Sequence, residues 1–267
     1  MDKKISIVFF GSFGNYSVIV LDKLLRSSIY HLASVITTPP APKGRHLKLT
    51  KTEVQIYAES HNISVFTPPS LDSLPAISKP DFIVVAGYGK LLSPAWLKLP
   101  KVMAINLHPS LLPAYPGRCP AEWAILRGET KTGVTLIQMT DKFDAGPILA
   151  QEKLPITTDD TRLTLYDKLF HLGADLLVRT LPNLSPNPSP ESGEGDLPAS
   201  RQEPRGEVFY ARQITRQDGF ALWDEYQLQK NDPKSQLFTK YRAFAGWPGV
   251  WTLDPSGNRI IFRLHHP

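Results

Sequence analysis

Residues 102–113 have the sequence Val-Met-Ala-Ile-Asn-Leu-His-Pro-Ser-Leu-Leu-Pro, an apolar run that ends in polar side chains. The run from 102 to 107 predicts a buried strand. An amide (Asn106), an imidazole (His108) and a hydroxyl (Ser110) fall within five residues at its end. A carboxylate, Asp144, follows at the start of a later loop. Together these groups can move protons and stabilise an oxyanion.

Strands and helices alternate through the first half of the chain. Apolar runs predict strands at residues 5–10, 32–38, 64–66, 81–86 and 102–107, and a strand pair at 134–139 and 148–156. Helical spacing of apolar residues follows the first strand, and helices are also predicted at 53–61 and 119–126. This order predicts an α/β protein with a mostly parallel, Rossmann-like sheet and helices on both faces.

Three turns follow strands of this sheet, at residues 11–14, at Gly87-Tyr88-Gly89 and at His108. Open sheets bind ligands beyond the carboxyl ends of their strands, so we expect the three turns to meet at one edge. Residues 11–14 contain only a Gly-x-x-Gly pair, which lacks the spacing of a dinucleotide fingerprint and indicates a tight turn.

The composition favours a cytoplasmic protein without membrane contact. Of the 267 residues, 42% are hydrophobic, which suffices for one large and one small domain. The single cysteine, Cys119, allows neither an internal disulfide nor a cysteine cluster for zinc, and we expect no bound metal. No apolar run is long enough for a membrane span or a signal-peptide core.

Positive charge is concentrated in residues 43–51. The net charge of the chain is only +5, which by itself describes an ordinary solvated surface. Residues 43–51 carry four formal positive charges and no acid, and their glycine and the preceding prolines predict a flexible loop. Such a loop can neutralise phosphates, and we predict that Lys43, Arg45 and Lys48 bind nucleic acid.

The second half of the chain predicts three parts. A long helix at 161–181, with Thr161 as its cap, closes a first domain at residues 1–182. Residues 183–205 are rich in proline, serine and glycine and predict a linker. Residues 206–267 predict a small mixed module with an amphipathic stretch at 235–244 and short strand-like runs at 250–253 and 259–264.

The polar trio matches the needs of formyl transfer to an amine. The amine must lose a proton, an oxyanion must be stabilised, and the leaving nitrogen must gain a proton. His108 can carry protons, Asn106 can donate a hydrogen bond to the oxyanion, and Asp144 can orient the imidazole. Each residue alone has an ordinary structural explanation, as a backbone-bonded histidine, a bend asparagine or a turn aspartate. Their joint occurrence favours catalysis.

The region from about residue 5 to 156 resembles the folate-dependent formyltransferase family. The likeness is carried by Phe10-Gly11-Ser12, Gly44-Arg45, Ala86-Gly87-Tyr88-Gly89, Asn106-x-His108-x-Ser110-Leu111-Leu112-Pro113, Gly133-Val134-Thr135-Leu136 and Asp144-Ala145-Gly146-Pro147-Ile148. It implies that Asn106, His108 and Asp144 are catalytic. It also implies that 10-formyltetrahydrofolate is the co-substrate and binds at Ala86, Gly87, Tyr88, Gly89, Ser110, Leu111, Leu112 and Pro113.

The likeness is nearest to family members that formylate the amine of methionyl-initiator tRNA. The basic loop is similar to one that contacts the acceptor stem in those members, and residues 210–216 and 242–248 resemble the start of their C-terminal domain. The resemblance therefore implies a tRNA partner and a small, shortened, β-rich barrel-like module at the C-terminus. We expect a monomer.

Two departures keep a second acceptor class open. Tyr115-Pro116-Gly117 stands where an arginine-glycine pair is usual, and resembles the members that act on glycinamide ribonucleotide. The C-terminal module also ends early. The alternatives are formyl transfer to a small amine, either that ribonucleotide or a nucleotide-linked amino sugar, hydrolytic release of formate, and a non-catalytic RNA-binding role. The intact trio argues against the last, and the basic loop and C-terminal module argue against hydrolysis.

Overall fold

A computed structural model describes residues 4–43, 47–72, 74, 76–184 and 208–263. In chain order its elements are β1 Ile5–Phe10, α1 Gly14–Arg26, β2 Tyr30–Ile36, β3 Ala41–Lys43, β4 Lys48–Thr50, α2 Glu53–Ser60, β5 Val65–Phe66, β6 Phe82–Ala86, α3 Pro94–Leu97, β7 Met103–His108, α4 Pro120–Leu126, β8 Lys131–Gln138, β9 Ile148–Pro155, α5 Arg162–Thr180, α6 Trp223–Gln229, α7 Gln236–Ala243, β10 Trp251–Leu253 and β11 Arg259–Ile261. The helices and strands predicted before residue 182 are all present, with ends shifted by up to three residues.

Seven strands form one sheet, in the order β5-β2-β1-β6-β7-β8-β9. The pairs from β5 through β7 are parallel, whereas β7 pairs with β8 and β8 with β9 in antiparallel fashion. The predicted mostly parallel sheet is confirmed. The carboxyl end of β7 lies beside the turns that follow the other parallel strands, whereas β8 ends with Gln138 opposite Ile105, in the amino-terminal half of β7.

Hydrophobic clusters cover both faces of the sheet. Side chains alternate along β1, so Ile7 and Phe9 join the cluster under α1 and α5, while Val8 and Phe10 join the cluster that contains Trp96 of α3. These residues are fully buried. The sheet is therefore a rigid base for the turns at its carboxyl edge.

Helix α5 packs closely against the strand that carries the polar residues. Thr161 accepts a hydrogen bond from the Thr164 N–H, which confirms the predicted N-cap. At Gly173, a Cβ atom would lie 2.6 Å from Cδ1 of Leu107, so this position needs glycine. Leu107 thereby fixes which face of β7 is turned toward α5.

The basic segment differs from the predicted loop. Strands β3 and β4 pair as an antiparallel hairpin, with Lys43 opposite Lys48. Every residue of the two strands is exposed except the half-buried Thr50. Since neither face is buried, no apolar alternation marks these strands in the sequence. The predicted nucleic-acid residue Arg45 lies outside the described residues.

Residues 208–263 contain two helices, α6 and α7, and one two-stranded hairpin, β10–β11. Helix α7 packs against α4, and Arg162 of α5 donates from Nε to the carbonyl of Ala245 at 2.6 Å. Most of the predicted linker at 183–205 lies outside the described residues, so the three-part division stays a prediction. None of the described helices is long and apolar enough to cross a bilayer.

Candidate active site

Strand β7 turns Asn106 and His108 to the same side. Alternate residues of a strand share a face, and Leu107 between them packs against α5. His108 is 4% exposed and ends the strand, opposite Thr135 of β8. The Asn106 and His108 side chains therefore lie on the face of β7 that is turned away from α5.

Asp144 enters from that loop in the left-handed region, with φ of +49°. Its Oδ1 accepts a hydrogen bond from Asn106 Nδ2 at 3.3 Å and lies 3.4 Å from His108 Nδ1. Its Oδ2 accepts from the backbone N–H of Gly117 at 2.8 Å. The three predicted catalytic residues are thus within direct reach of one another, and each carboxylate oxygen has a separate partner.

The imidazole of His108 lies between two oxygen atoms. Its Nε2 is 3.0 Å from the carbonyl oxygen of Tyr115, and its Nδ1 faces Asp144. A neutral imidazole has one N–H to donate, whereas an imidazolium ion has two. Both neighbouring oxygens are acceptors, so the single N–H of a neutral ring can donate to one of them, and the second N–H of an imidazolium ion would face the other.

A cleft of about 430 Å³ opens in front of the trio. Its wall includes the turn Gly87-Tyr88-Gly89, in which both glycines have positive φ, and the apolar side chains of Ile137, Met139 and Phe143. Around Gly89 a Cβ atom would meet nothing within 4 Å, so the backbone faces open space. The cleft is concave, mostly apolar and edged by a few polar groups, as small-molecule sites are.

Part of the predicted folate site does not line this cleft. Gly87, Tyr88 and Gly89 line the cleft, but Ala86 and the segment Ser110–Pro113 do not. Thr135 Oγ1 donates to the carbonyl of Ser110 at 2.6 Å and accepts from the N–H of Leu112 at 3.0 Å, so that segment is anchored to β8. The assignment of this segment to folate binding stays a prediction.

Sequence reasoning missed several residues of the cleft. Three exposed cations, Lys90, Arg118 and Lys142, stand on its rim. Lys90 and Lys142 are close in sequence to the predicted turn and to Asp144, which is a signal that could have found them. Tyr210 and Gln213 come from beyond residue 207, and nothing in their local sequence marks them.

A buried polar network was also missed. Tyr166, which lines the cleft, donates to Glu122 Oε2 at 2.6 Å, and Arg162 contacts Glu122 Oε1 at 3.3 Å. Burial raises the pKa of the Glu122 carboxyl and that of the Tyr166 hydroxyl. Burial likewise raises the pKa of the neighbouring Cys119 thiol to about 11. The Tyr166 hydroxyl and the Cys119 thiol are therefore protonated at neutral pH.

The hairpin that carries Lys43 and Lys48 follows the carboxyl end of β2, at the same edge of the parallel sheet as the glycine turn after β6. Lys43 Nζ is 3.1 Å from Glu53 Oε1, and Glu53 lies against Gly14, the residue after the cleft-lining Phe13. Both lysines are exposed. Among the described side chains, no group of three or more His, Cys, Asp or Glu residues could hold a metal ion.

This fold and site define an α/β protein with a histidine, an asparagine and an aspartate side by side on the wall of one cleft. The chain belongs to the formyl transferase family, whose sequence model matches residues 3–181. It is an enzyme that transfers formyl groups. The predicted family is confirmed.

Relatives and solved structures agree with this membership. The chain is 37% identical to a methionyl-tRNA formyltransferase of Syntrophus aciditrophicus (strain SB), over 93% of this chain and 76% of the relative. It is 37% identical to a methionyl-tRNA formyltransferase of Clostridium acetobutylicum over 98% of this chain and 79% of that relative.

Two solved structures share the fold. A 4-N formyltransferase from Francisella tularensis superposes with a TM-score of 0.69 at 16% identity, over 97% of both chains. HypX from Aquifex aeolicus, in complex with tetrahydrofolic acid, superposes with a TM-score of 0.61 at 18% identity, over 94% of this chain and 36% of that one.

Proposed function

We propose that this enzyme transfers the formyl group of 10-formyltetrahydrofolate to the free amine of methionyl-initiator tRNA. The observation that carries the chemistry is the Asp144 carboxylate, which lies within reach of both Asn106 and His108 on the wall of one cleft. The names of the relatives at 37% identity support the acceptor. The exposed basic hairpin at the same edge of the sheet supports a nucleic-acid acceptor.

The residues of the cleft fit a folate. The glycine turn at 87–89 leaves open backbone beside Ile137, Met139 and Phe143, which suits a flat, partly polar ring system. The rim cations Lys90, Arg118 and Lys142 suit carboxylate or phosphate groups. When bound, the folate supplies the formyl group, and the same fold has been solved in HypX with tetrahydrofolic acid.

Each member of the trio has a separate task in this proposal. His108 takes the proton from the attacking amine and returns one to the leaving nitrogen. The Asn106 amide has two N–H groups, and the one not directed at Asp144 donates to the oxygen on which negative charge develops. Asp144 stabilises the imidazolium form of His108. No covalent attachment to the protein is needed.

The acceptor can be tested by competition. Purified enzyme and 10-formyltetrahydrofolate are offered methionyl-initiator tRNA, glycinamide ribonucleotide and a nucleotide-linked amino sugar, and kcat/KM is measured for each. We expect the tRNA to exceed both small amines by at least about 100-fold, a margin of about 2.7 kcal/mol in transition-state binding. A small amine that matches or exceeds the tRNA would overturn the acceptor assignment and leave formyl transfer itself in place.

A further inference from the structure

The chain returns to the catalytic cleft after residue 207, outside the region matched by the family model. Residues 208–214, here called the strap, lie along the loop 115–119. The Ala211 N–H donates to the carbonyl of Pro116 at 2.7 Å, and the Ala211 carbonyl accepts from the N–H groups of Arg118 at 2.9 Å and Cys119 at 3.3 Å. The strap therefore fixes this loop by backbone hydrogen bonds on both sides of Gly117.

An aromatic anchor holds the strap in place. The ring of Phe209 lies 5.0 Å from that of Trp123 and 5.8 Å from that of Tyr115, and the guanidinium of Arg127 covers it at 4.5 Å. Trp123 Nε1 donates to the carbonyl of Arg212 at 2.9 Å. Phe209 does not line the cleft, so this anchor contacts the loop and α4 and not the space in front of the trio.

Gly117 is the point where the strap meets the catalytic residues. Its φ is +111°, and a Cβ atom there would lie 2.7 Å from the carbonyl oxygen of Ala211. Its N–H donates to Asp144 Oδ2 at 2.8 Å. A hydrogen bond to a carboxylate is stronger than one between neutral groups, and it sets the direction in which Oδ1 faces Asn106 and His108.

We propose that the strap is a positioning element of the active site, with Phe209 and Ala211 as positioning residues that act through Gly117 on Asp144. This inference rests on the catalytic role proposed above for Asp144. It gives the segment after residue 207 a part in the chemical step, distinct from any grip on tRNA by the rest of the C-terminal module. Small errors in the placement of catalytic groups lower rates by one to two orders of magnitude.

The first test separates rate from binding. We expect Phe209→Ala to lower kcat by roughly 10-fold to 100-fold while KM for 10-formyltetrahydrofolate and for methionyl-tRNA stays within about twofold. The matched control is Phe220→Ala, which removes a half-buried ring that packs against Trp251 at an interplanar angle of 60°, outside the strap. The control should keep kcat within about twofold of wild type.

The second test needs no activity. Amide hydrogen exchange at Gly117, followed by NMR on protein labelled with 15N-glycine, reports its bond to Asp144. Phe209→Ala should accelerate exchange at Gly117 well beyond any change at Gly173 in α5, and Phe220→Ala should not. If Phe209→Ala does not fold, exchange at the Gly117 amide is measured in Phe209→Leu instead.

The third test asks whether the strap acts through Asp144. In an Asp144→Asn background, Phe209→Ala should lower kcat by less than about twofold, because the group it positions is already lost. The inference is overturned if Phe209→Ala folds and keeps both the wild-type kcat and the wild-type exchange protection of the Gly117 amide. It is also overturned if Phe209→Ala lowers kcat in the Asp144→Asn enzyme by as large a factor as in the wild-type enzyme. Should wild-type enzyme fail to formylate methionyl-tRNA, the acceptor proposal falls, and Gly117 exchange still decides the role of the strap.

Discussion

The catalytic edge and the basic hairpin differ in how their side chains are held. Asn106, His108 and Asp144 are connected by buried contacts to β7, to the β8–β9 loop and to Gly117. In the hairpin, Lys43 has one exposed ion pair to Glu53, and Leu47 is 71% exposed. A rigid, enclosed group can stabilise a transition state, whereas a mobile, exposed cation contributes mainly long-range attraction. This difference predicts that the catalytic edge sets the rate of formyl transfer and that the basic hairpin sets the affinity for tRNA.

The largest expected effect comes from the buried region. His108→Ala should lower kcat by about 10²–10⁴-fold, because the proton carrier is lost, with KM for the folate nearly unchanged. Steady-state kinetics with both substrates measures this. His171→Ala, which alters an exposed histidine of α5, is the control and should behave as wild type. A His108→Ala enzyme with more than half of wild-type turnover would remove His108 from the mechanism.

We expect the next largest effect from Asn106→Ala. It should lower kcat by roughly 10²–10³-fold, because it removes a hydrogen-bond donor to the oxygen on which negative charge develops. Asp144→Asn keeps the shape of the side chain and loses the charge, so it should reduce kcat by a similar factor. Circular dichroism and thermal unfolding serve to show that both variants are folded. If both changes raised only the KM for folate, the trio would be a binding feature.

Much of the fold was predictable because buried strands leave continuous apolar runs in the sequence. The runs at 5–10, 81–86 and 102–107 are apolar since both faces of the sheet are covered. The trio was predictable because Asn106 and His108 stand at the end of a buried apolar run and, together with Asp144, match a known family pattern. Tyr210 and Gln213 were not predictable, because they reach the cleft through contacts with residues about 90 positions earlier, such as the bond between Arg118 and Gln213.

The hairpin should give a smaller effect of a different kind. Lys43→Ala with Lys48→Ala should raise KM for methionyl-tRNA severalfold at constant kcat. Each lost phosphate contact should reduce the slope of log K against log salt by about one unit. Lys23→Ala, in α1, is a control that removes one exposed lysine from outside the hairpin. Unchanged tRNA kinetics across the salt titration would indicate a solvated hairpin without a partner.

The last prediction concerns Cys119, which belongs to the cleft and not to the hairpin. Burial raises the pKa of its thiol to about 11, and the thiolate is the reactive form. Alkylation by iodoacetamide should therefore be slow at pH 8 and accelerate as the pH approaches 11, with urea-unfolded enzyme as the fast reference. Mass spectrometry of quenched samples gives the rates. Equal rates for folded and unfolded enzyme at pH 8 would contradict the raised pKa of this thiol.

The division between catalytic rate and tRNA affinity is tested most directly by combining substitutions from the two regions in one variant. Single-turnover formyl transfer to methionyl-tRNA is measured for wild type, His108→Ala, the Lys43→Ala/Lys48→Ala variant and their combination, over a range of tRNA concentrations. We predict that the histidine change lowers only the maximal rate constant and the lysine changes raise only the half-saturating tRNA concentration, so that the two effects add in free energy. The account is contradicted if the lysine changes lower the maximal rate at saturating tRNA as strongly as the histidine change does.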